Sequence, residues 1–120
     1  MHVSSKQDAP ALSRGDGLVS APLHTGGGDS DLTVTWVEID PGASQVRHSH
    51  DPEQVYVVVA GEGEMTVGGE TRAVVAGDLV RIPPDTDHGI ENTGDRPLEY
   101  VSAAAPAFPR EEVEVFYDAW

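Results

Sequence analysis

Apolar and polar residues alternate along much of this chain, in short runs separated by glycine, proline and aspartate. From Leu32 to Ile39 the run is rich in β-branched residues and keeps a period near two, the pattern of a half-buried strand. Asp40-Pro41-Gly42 turns the chain, and Val46 to His50 reads as a short extended segment. Asp51-Pro52-Glu53 breaks it, and Gln54 to Ala60 carries the strongest strand signal. Glu64 to Val67, Gly68-Gly69 and Glu70 to Val75 predict a hairpin, because a two-residue Gly-Gly connection accepts positive φ. Leu79 to Ile82, His88 to Asn92 and Leu98 to Ala104 predict three more strands, each bounded by turn residues.

The ends are less regular. Residues 1–17 are polar and broken by Pro10, Gly15 and Gly17, which predicts a flexible arm. Leu18 to Leu23 predicts a short strand interrupted by Pro22. Gly26 to Asp31 is a flexible loop; it lacks the Lys-Ser/Thr ending of a phosphate loop, and Asp29 and Asp31 would repel phosphate. Val113 to Tyr117 fits a strand or a helical turn. No stretch holds a 3.6-residue period over three turns. About nine or ten short strands, with turn signals roughly every eight to twelve residues, predict an all-β sandwich or barrel.

Composition narrows this further. The length of 120 residues suits one domain, expected over residues 18–120. With no cysteine there is no disulfide framework, no thiolate metal site and no cysteine nucleophile. Twenty-one acids against seven bases leave a formal charge of -14, a field that repels nucleic acid and anionic membrane. Lys6 is the only lysine. A carboxylate-rich, lysine-poor surface suits solubility at high salt, so a halophilic source and an ordinary acidic protein from a GC-rich genome both remain open. The longest apolar run, Val55 to Ala60, is far short of the roughly 20 residues that cross a bilayer, and Met1 to Pro10 holds no apolar stretch. The expectation is a soluble, cytoplasmic protein.

The candidate chemistry lies in the histidines. His48 and His50 are two apart in an extended segment, so both imidazoles point to one face and can chelate a divalent metal. His88 opens a strand further along, and Gln54 follows the Asp-Pro-Glu turn. Around them runs a frame of fixed positions. Gly42, His48, His50, Gln54 and Gly61 form one stretch; Gly77, Pro83, Asp85, His88 and Asn92 form a second, 15 residues after the first.

These two stretches, residues 42–61 and 77–92, resemble the paired signature motifs of the cupin superfamily at the spacing of its small single-domain members. The resemblance implies a jelly-roll β-barrel with one divalent metal inside, be it zinc, nickel, manganese, iron or copper. It carries the metal ligands over to His48, His50 and His88. The family's glutamate position is Gln54 here, and a family glycine is Asp85, a residue type that tolerates turns. Glu53 is the rival fourth ligand, favoured only if the turn shifts by one residue. An amide oxygen can coordinate but brings no negative charge. The neutral set points away from the ferrous oxygen chemistry of the usual family site, although a cupin dioxygenase stays among the alternatives. It points toward isomerase or lyase chemistry on an oxygenated small molecule, a sugar acid or an oxo-acid. The competing expectation is a non-catalytic module that binds a metal or small ligand.

Other residues carry weaker expectations. Tyr56 shares parity with Gln54 and either faces a ligand or serves as a core aromatic. Met65, Val67 and Ile90 are expected to line the ligand pocket as apolar wall. His2 and His24 are expected at the surface, and Arg47 is expected to point outward. A homodimer is expected, paired by sheet extension through Leu18 to Leu23.

Overall fold

The computed structural model describes residues 1–26 and 28–108. Among them the strands are β1 (Leu12–Ser13), β2 (Leu18–Leu23), β3 (Thr33–Ile39), β4 (Glu53–Ala60), β5 (Glu62–Val67), β6 (Glu70–Val75), β7 (Leu79–Ile82), β8 (His88–Glu91) and β9 (Leu98–Ala105). One 3-10 turn spans Lys6–Asp8, and the described residues contain no α-helix. A six-stranded sheet in the order β1-β2-β3-β9-β4-β7 faces a three-stranded sheet in the order β6-β5-β8. Neighbouring strands pair antiparallel throughout. The all-β class expected from the alternation and the jelly roll implied by the cupin resemblance are present, as two sheets over a shared core rather than one continuous ladder.

The period-two pattern decides which side chains enter that core. β3 turns Thr35, Val37 and Ile39 inward, β4 turns Gln54, Tyr56 and Val58, and β9 turns Leu98, Tyr100, Ser102 and Ala104. Register then sorts these residues into rows, since directly opposed residues share a face. Leu18, Ile39 and Leu98 lie side by side across β2, β3 and β9, an apolar row at one end of the sheet. Fully burying such a side chain contributes about 1.5–3 kcal/mol relative to leaving it exposed. Thr35, Ser102 and Tyr56 form a row nearer the other end, where the interior becomes polar.

Several segments differ from expectation for local reasons. β2 runs through Pro22 without interruption. Pro22 lies beyond the last residue that β1 pairs, an edge position that tolerates a residue without an N–H. The segment from Val46 to His50 forms no full ladder. It joins β8 through one isolated bridge, His48 to His88, and just before it Ser44 bridges to Glu91. In the N-terminal segment Lys6 is ion-paired with Glu38 and Glu99 and lies 5.3 Å from the centre of the Trp36 ring. Val113 to Tyr117 lies outside the described residues.

Tight approach fixes some glycines. Gly61 joins β4 to β5 with φ of +81°, and a Cβ there would sit 2.6 Å from the Pro97 carbonyl oxygen. Gly69 has open space around its Cα. Gly61→Ala is therefore expected to lower stability by at least about 1–2 kcal/mol, the left-handed backbone cost alone, and Gly69→Ala to cost less. Urea midpoints of the two variants check this, and equal midpoints would contradict it.

Candidate metal centre

The two histidine-bearing stretches meet because the segment around His48 lies antiparallel to β8. His48 and His88 exchange both backbone hydrogen bonds, the His48 amide to the His88 carbonyl at 3.1 Å and the reverse at 2.9 Å. The turn before β8 is tied to the same place: the Asp85 amide donates to the His50 carbonyl at 2.9 Å. Asp85 has φ of 55°, so the residue that replaces the family glycine holds the left-handed turn itself. Hydrogen bonding to Asp51 and then its nearby charge raise the Asp85 carboxyl above its usual range.

His48, His50 and His88 each offer a ring nitrogen, and these nitrogens lie within 4.8 Å of one another. The ring centres stand 4.3 Å apart for His48 and His88, 4.9 Å for His50 and His88, and 5.4 Å for His48 and His50. Backbone carbonyls orient two of the rings. His48 Nδ1 donates to the Val46 oxygen at 2.7 Å, and His88 Nδ1 donates to the Thr86 oxygen at 2.8 Å. A carbonyl accepts only, so each ring carries its proton on Nδ1 and turns the Nε2 lone pair inward. The Nε2 atoms of all three histidines are buried, and that of His88 meets no hydrogen-bond partner among the described residues.

Gln54 is buried, with only 5% of its surface exposed. Its Oε1 is buried and makes no hydrogen bond of normal geometry among the described residues, although the amide lies near enough to the His50 ring to favour its protonated form. Glu53, the rival ligand, points outward and accepts from Arg81 Nε at 2.8 Å. Three ring nitrogens and an amide oxygen form a donor set that could hold a divalent ion. An inward lone pair with nothing to accept is the feature such an ion would satisfy.

The expected pocket residues occupy different places. Val67 lies opposite His88 and Met65 opposite Ile90 across β5 and β8, so all four share the face turned to the large sheet. Met65 and Val67 line an open groove of about 590 Å³ that also involves Arg72, Val80 and Thr86. Ile90 borders a separate recess of about 320 Å³. Tyr56 and Gln54 line a small interior cavity of about 20 Å³, together with Gln45, Tyr100, Ser102 and Phe108. Tyr56 is 1% exposed, stacks on Tyr100 at 4.3 Å and shares two hydrogen bonds with Gln45. It is a core aromatic next to the histidines, its ring centre 5.9 Å from that of His88.

Three further participants were not apparent from the sequence. Gln45 bridges the two tyrosines, Ser102 meets the Gln54 amide, and the Phe108 ring packs edge-on against His50 at 4.9 Å. Each acts through a contact between residues far apart along the chain. The alternation in β9 does place Ser102 on the inner face, and that was the available signal.

The sequence profile of the cupin domain matches residues 35–104. The chain belongs to the cupin family. Its structure is similar to that of an RmlC-like cupin from Shewanella frigidimarina, with a TM-score of 0.78 and 28% identity, covering 94% of this chain and 96% of that one. Its sequence is 33% identical over 67 residues to an oxalate-binding protein of Thermotoga maritima, 55% of each chain. It is 36% identical over 70 residues to H2HPP isomerase of Bacillus subtilis, covering 58% of this cupin and 29% of the isomerase. The match thus spans about half of the first curated relative's length and less of the second's.

Burial is the largest influence on the protonation of the three clustered histidines of this cupin. It pushes the His48 imidazole down to about 4; the hydrogen bond to Val46 opposes the shift, and the neighbouring His88 and His50 rings add to it. His50 and His88 are lowered as well, again chiefly by burial. Between the ordinary histidine value near 6.5 and about 4, the unfolded chain binds a proton at His48 that the folded chain does not. Stability of the chelator-treated protein is therefore expected to fall as pH drops through that window. His48→Gln should show a shallower fall between pH 7 and pH 5, measured by urea midpoints. Parallel pH profiles would contradict this.

Proposed function

We propose that this cupin holds one divalent metal ion through His48, His50, His88 and Gln54. It acts there on a small oxygenated molecule, a sugar acid or an oxo-acid, as an isomerase or lyase. The observation that carries this reading is the convergence of three ring nitrogens within 4.8 Å. When bound, a divalent ion supplies Lewis-acid polarisation of a carbonyl or carboxylate oxygen, its charge undiminished by four neutral donors. The chain's own residues hold and orient. The Val46 and Thr86 carbonyls set the ring faces, and Phe108 shields one side of His50. The names of the oxalate-binding protein and of the isomerase support a small oxygenated acid as ligand.

A second reading, binding without turnover, is favoured by one observation. The cavity bounded by Gln54, Tyr56 and Phe108 is about 20 Å³, close to the space of a single water. A ligand there is small or enters from the half-exposed side of His48 and His50. In either reading the partner is a small molecule, since a charge of -14 repels nucleic acid and anionic lipid, and the protein is taken to be cytoplasmic. The chain is taken to be a homodimer, paired through residues 21–23 of β2, which β1 leaves unpaired.

Elemental analysis of protein purified without added metal is expected to find about one equivalent of a divalent ion, and His48→Ala is expected to lose most of it. Unchanged metal content in His48→Ala would overturn the site. Turnover of a sugar acid or oxo-acid that stops with chelator and returns with metal supports the enzyme; saturable binding of the same acids without product supports the binding module. Light scattering is expected to give twice the 12.7 kDa of one chain, and a monomer would contradict the dimer.

A further inference from the structure

The two sheets part between β6 and β7. β7 ends the large sheet, β6 ends the small one, and no ladder joins these strands among the described residues. The groove of about 590 Å³ lies there, within the roughly 300–1,000 Å³ of small-molecule sites. Met65, Val67, Val74, Val80 and Pro83 make much of its wall apolar. It adjoins the candidate metal centre: Val67 opposes His88, and the carbonyl that orients the His88 ring belongs to Thr86 of the same wall.

Most polar side chains of this groove are already engaged. Arg81 donates to Glu53, Asp78 Oδ2 accepts from the Val75 amide at 2.8 Å, and the Thr86 hydroxyl donates to the Pro84 carbonyl at 3.2 Å. Arg72 differs. It opposes the buried Met65 in the β5–β6 hairpin, so it stands on the inward face of β6. It makes no hydrogen bond or ion pair among the described residues, not even with Glu70 two residues before it on the same face. Acids outnumber bases by 21 to seven in this chain, yet this guanidinium is left without a carboxylate against an apolar wall.

We infer that this groove binds a carboxylate carried on an apolar body, an aryl or alkyl acid, with Arg72 on the carboxylate and Met65, Val74 and Val80 along the body. The inference goes beyond the metal-binding reading and does not rest on it. A guanidinium donates two parallel N–H bonds to a carboxylate, a geometry that an ammonium cannot reproduce. The apolar wall takes the body of the acid out of water. Glu70 lies nearer the hairpin turn and repels a carboxylate, so the acid lies on the Val74 side of Arg72. A sugar acid fits this groove poorly. It carries several hydroxyls, and Glu70 is the polar side chain left to meet them; the others would lose water against valine and methionine without a partner.

The test is titration of the full chain, as purified, with 3-phenylpropionate, read by calorimetry and by amide chemical shifts. Saturable binding is expected, with shifts centred on Met65, Arg72, Val74 and Val80. Arg72→Met keeps an apolar stem and removes the charge; it is expected to weaken binding by about 5–20-fold, while Arg72→Lys retains part of the affinity. Arg72 is exposed, so both variants are expected to keep the urea midpoint of the unmodified chain. The neutral 3-phenylpropanamide and the hydrophilic glucuronate are each expected to bind at least about fivefold more weakly than 3-phenylpropionate. Undiminished binding in Arg72→Met, or equal affinity for the amide, overturns the role of Arg72. Equal affinity for glucuronate overturns the apolar class of ligand. No binding of 3-phenylpropionate, or shifts centred on His48 and His50, overturns the groove site and leaves the metal reading standing.

Discussion

The candidate centre depends on a pair of backbone hydrogen bonds. His48 and His88 exchange amide and carbonyl across an isolated bridge, and this brings a segment before β4 against the start of β8. Because the contact is made by the main chain, the separation of the two imidazoles follows from strand geometry rather than from flexible side chains. The carbonyls of Val46 and Thr86, each two residues before its histidine, then hold the rings. The Asp85 amide on the His50 carbonyl closes the arrangement from the other side. Little else is required for the three nitrogens to meet.

The large sheet supplies the surroundings by being chemically uneven along its strands. Its inner face runs from Leu18, Ile39 and Leu98 at one end to Thr35, Ser102 and Gln54 at the other. The apolar end provides the burial that stabilises the fold. The polar end places neutral hydrogen-bonding groups beside the histidines. No carboxylate stands among the four proposed ligands; Asp51 and Asp87 nearby favour the charged forms of His50 and His88, and burial is the largest effect on each of the three histidines and lowers it. Neutral imidazoles at neutral pH are the form in which a metal can be bound.

Departures from expectation share one cause. The bridge at His48 is too short to show as a strand, and Pro22 is tolerated because β1 ends before it. Met65, Val67 and Ile90 do face inward with His88, as alternation requires, yet they border different recesses. Alternation reports which face a residue takes; it does not report how far apart two sheets lie or where a groove opens between them.

The residue pattern by itself determined the all-β class, most strand limits, the glycine-bounded turns and the histidines at positions 48, 50 and 88. These are local properties: period two, turn chemistry and a spaced set of side chains can be read along the chain without knowing what packs on what. Only the tertiary structure decided that Gln54 rather than Glu53 faces the histidines, that Ser102 meets its amide, and that Phe108 packs on His50. Each of those depends on register between strands distant in sequence, and register is fixed by the whole core burying its apolar rows together.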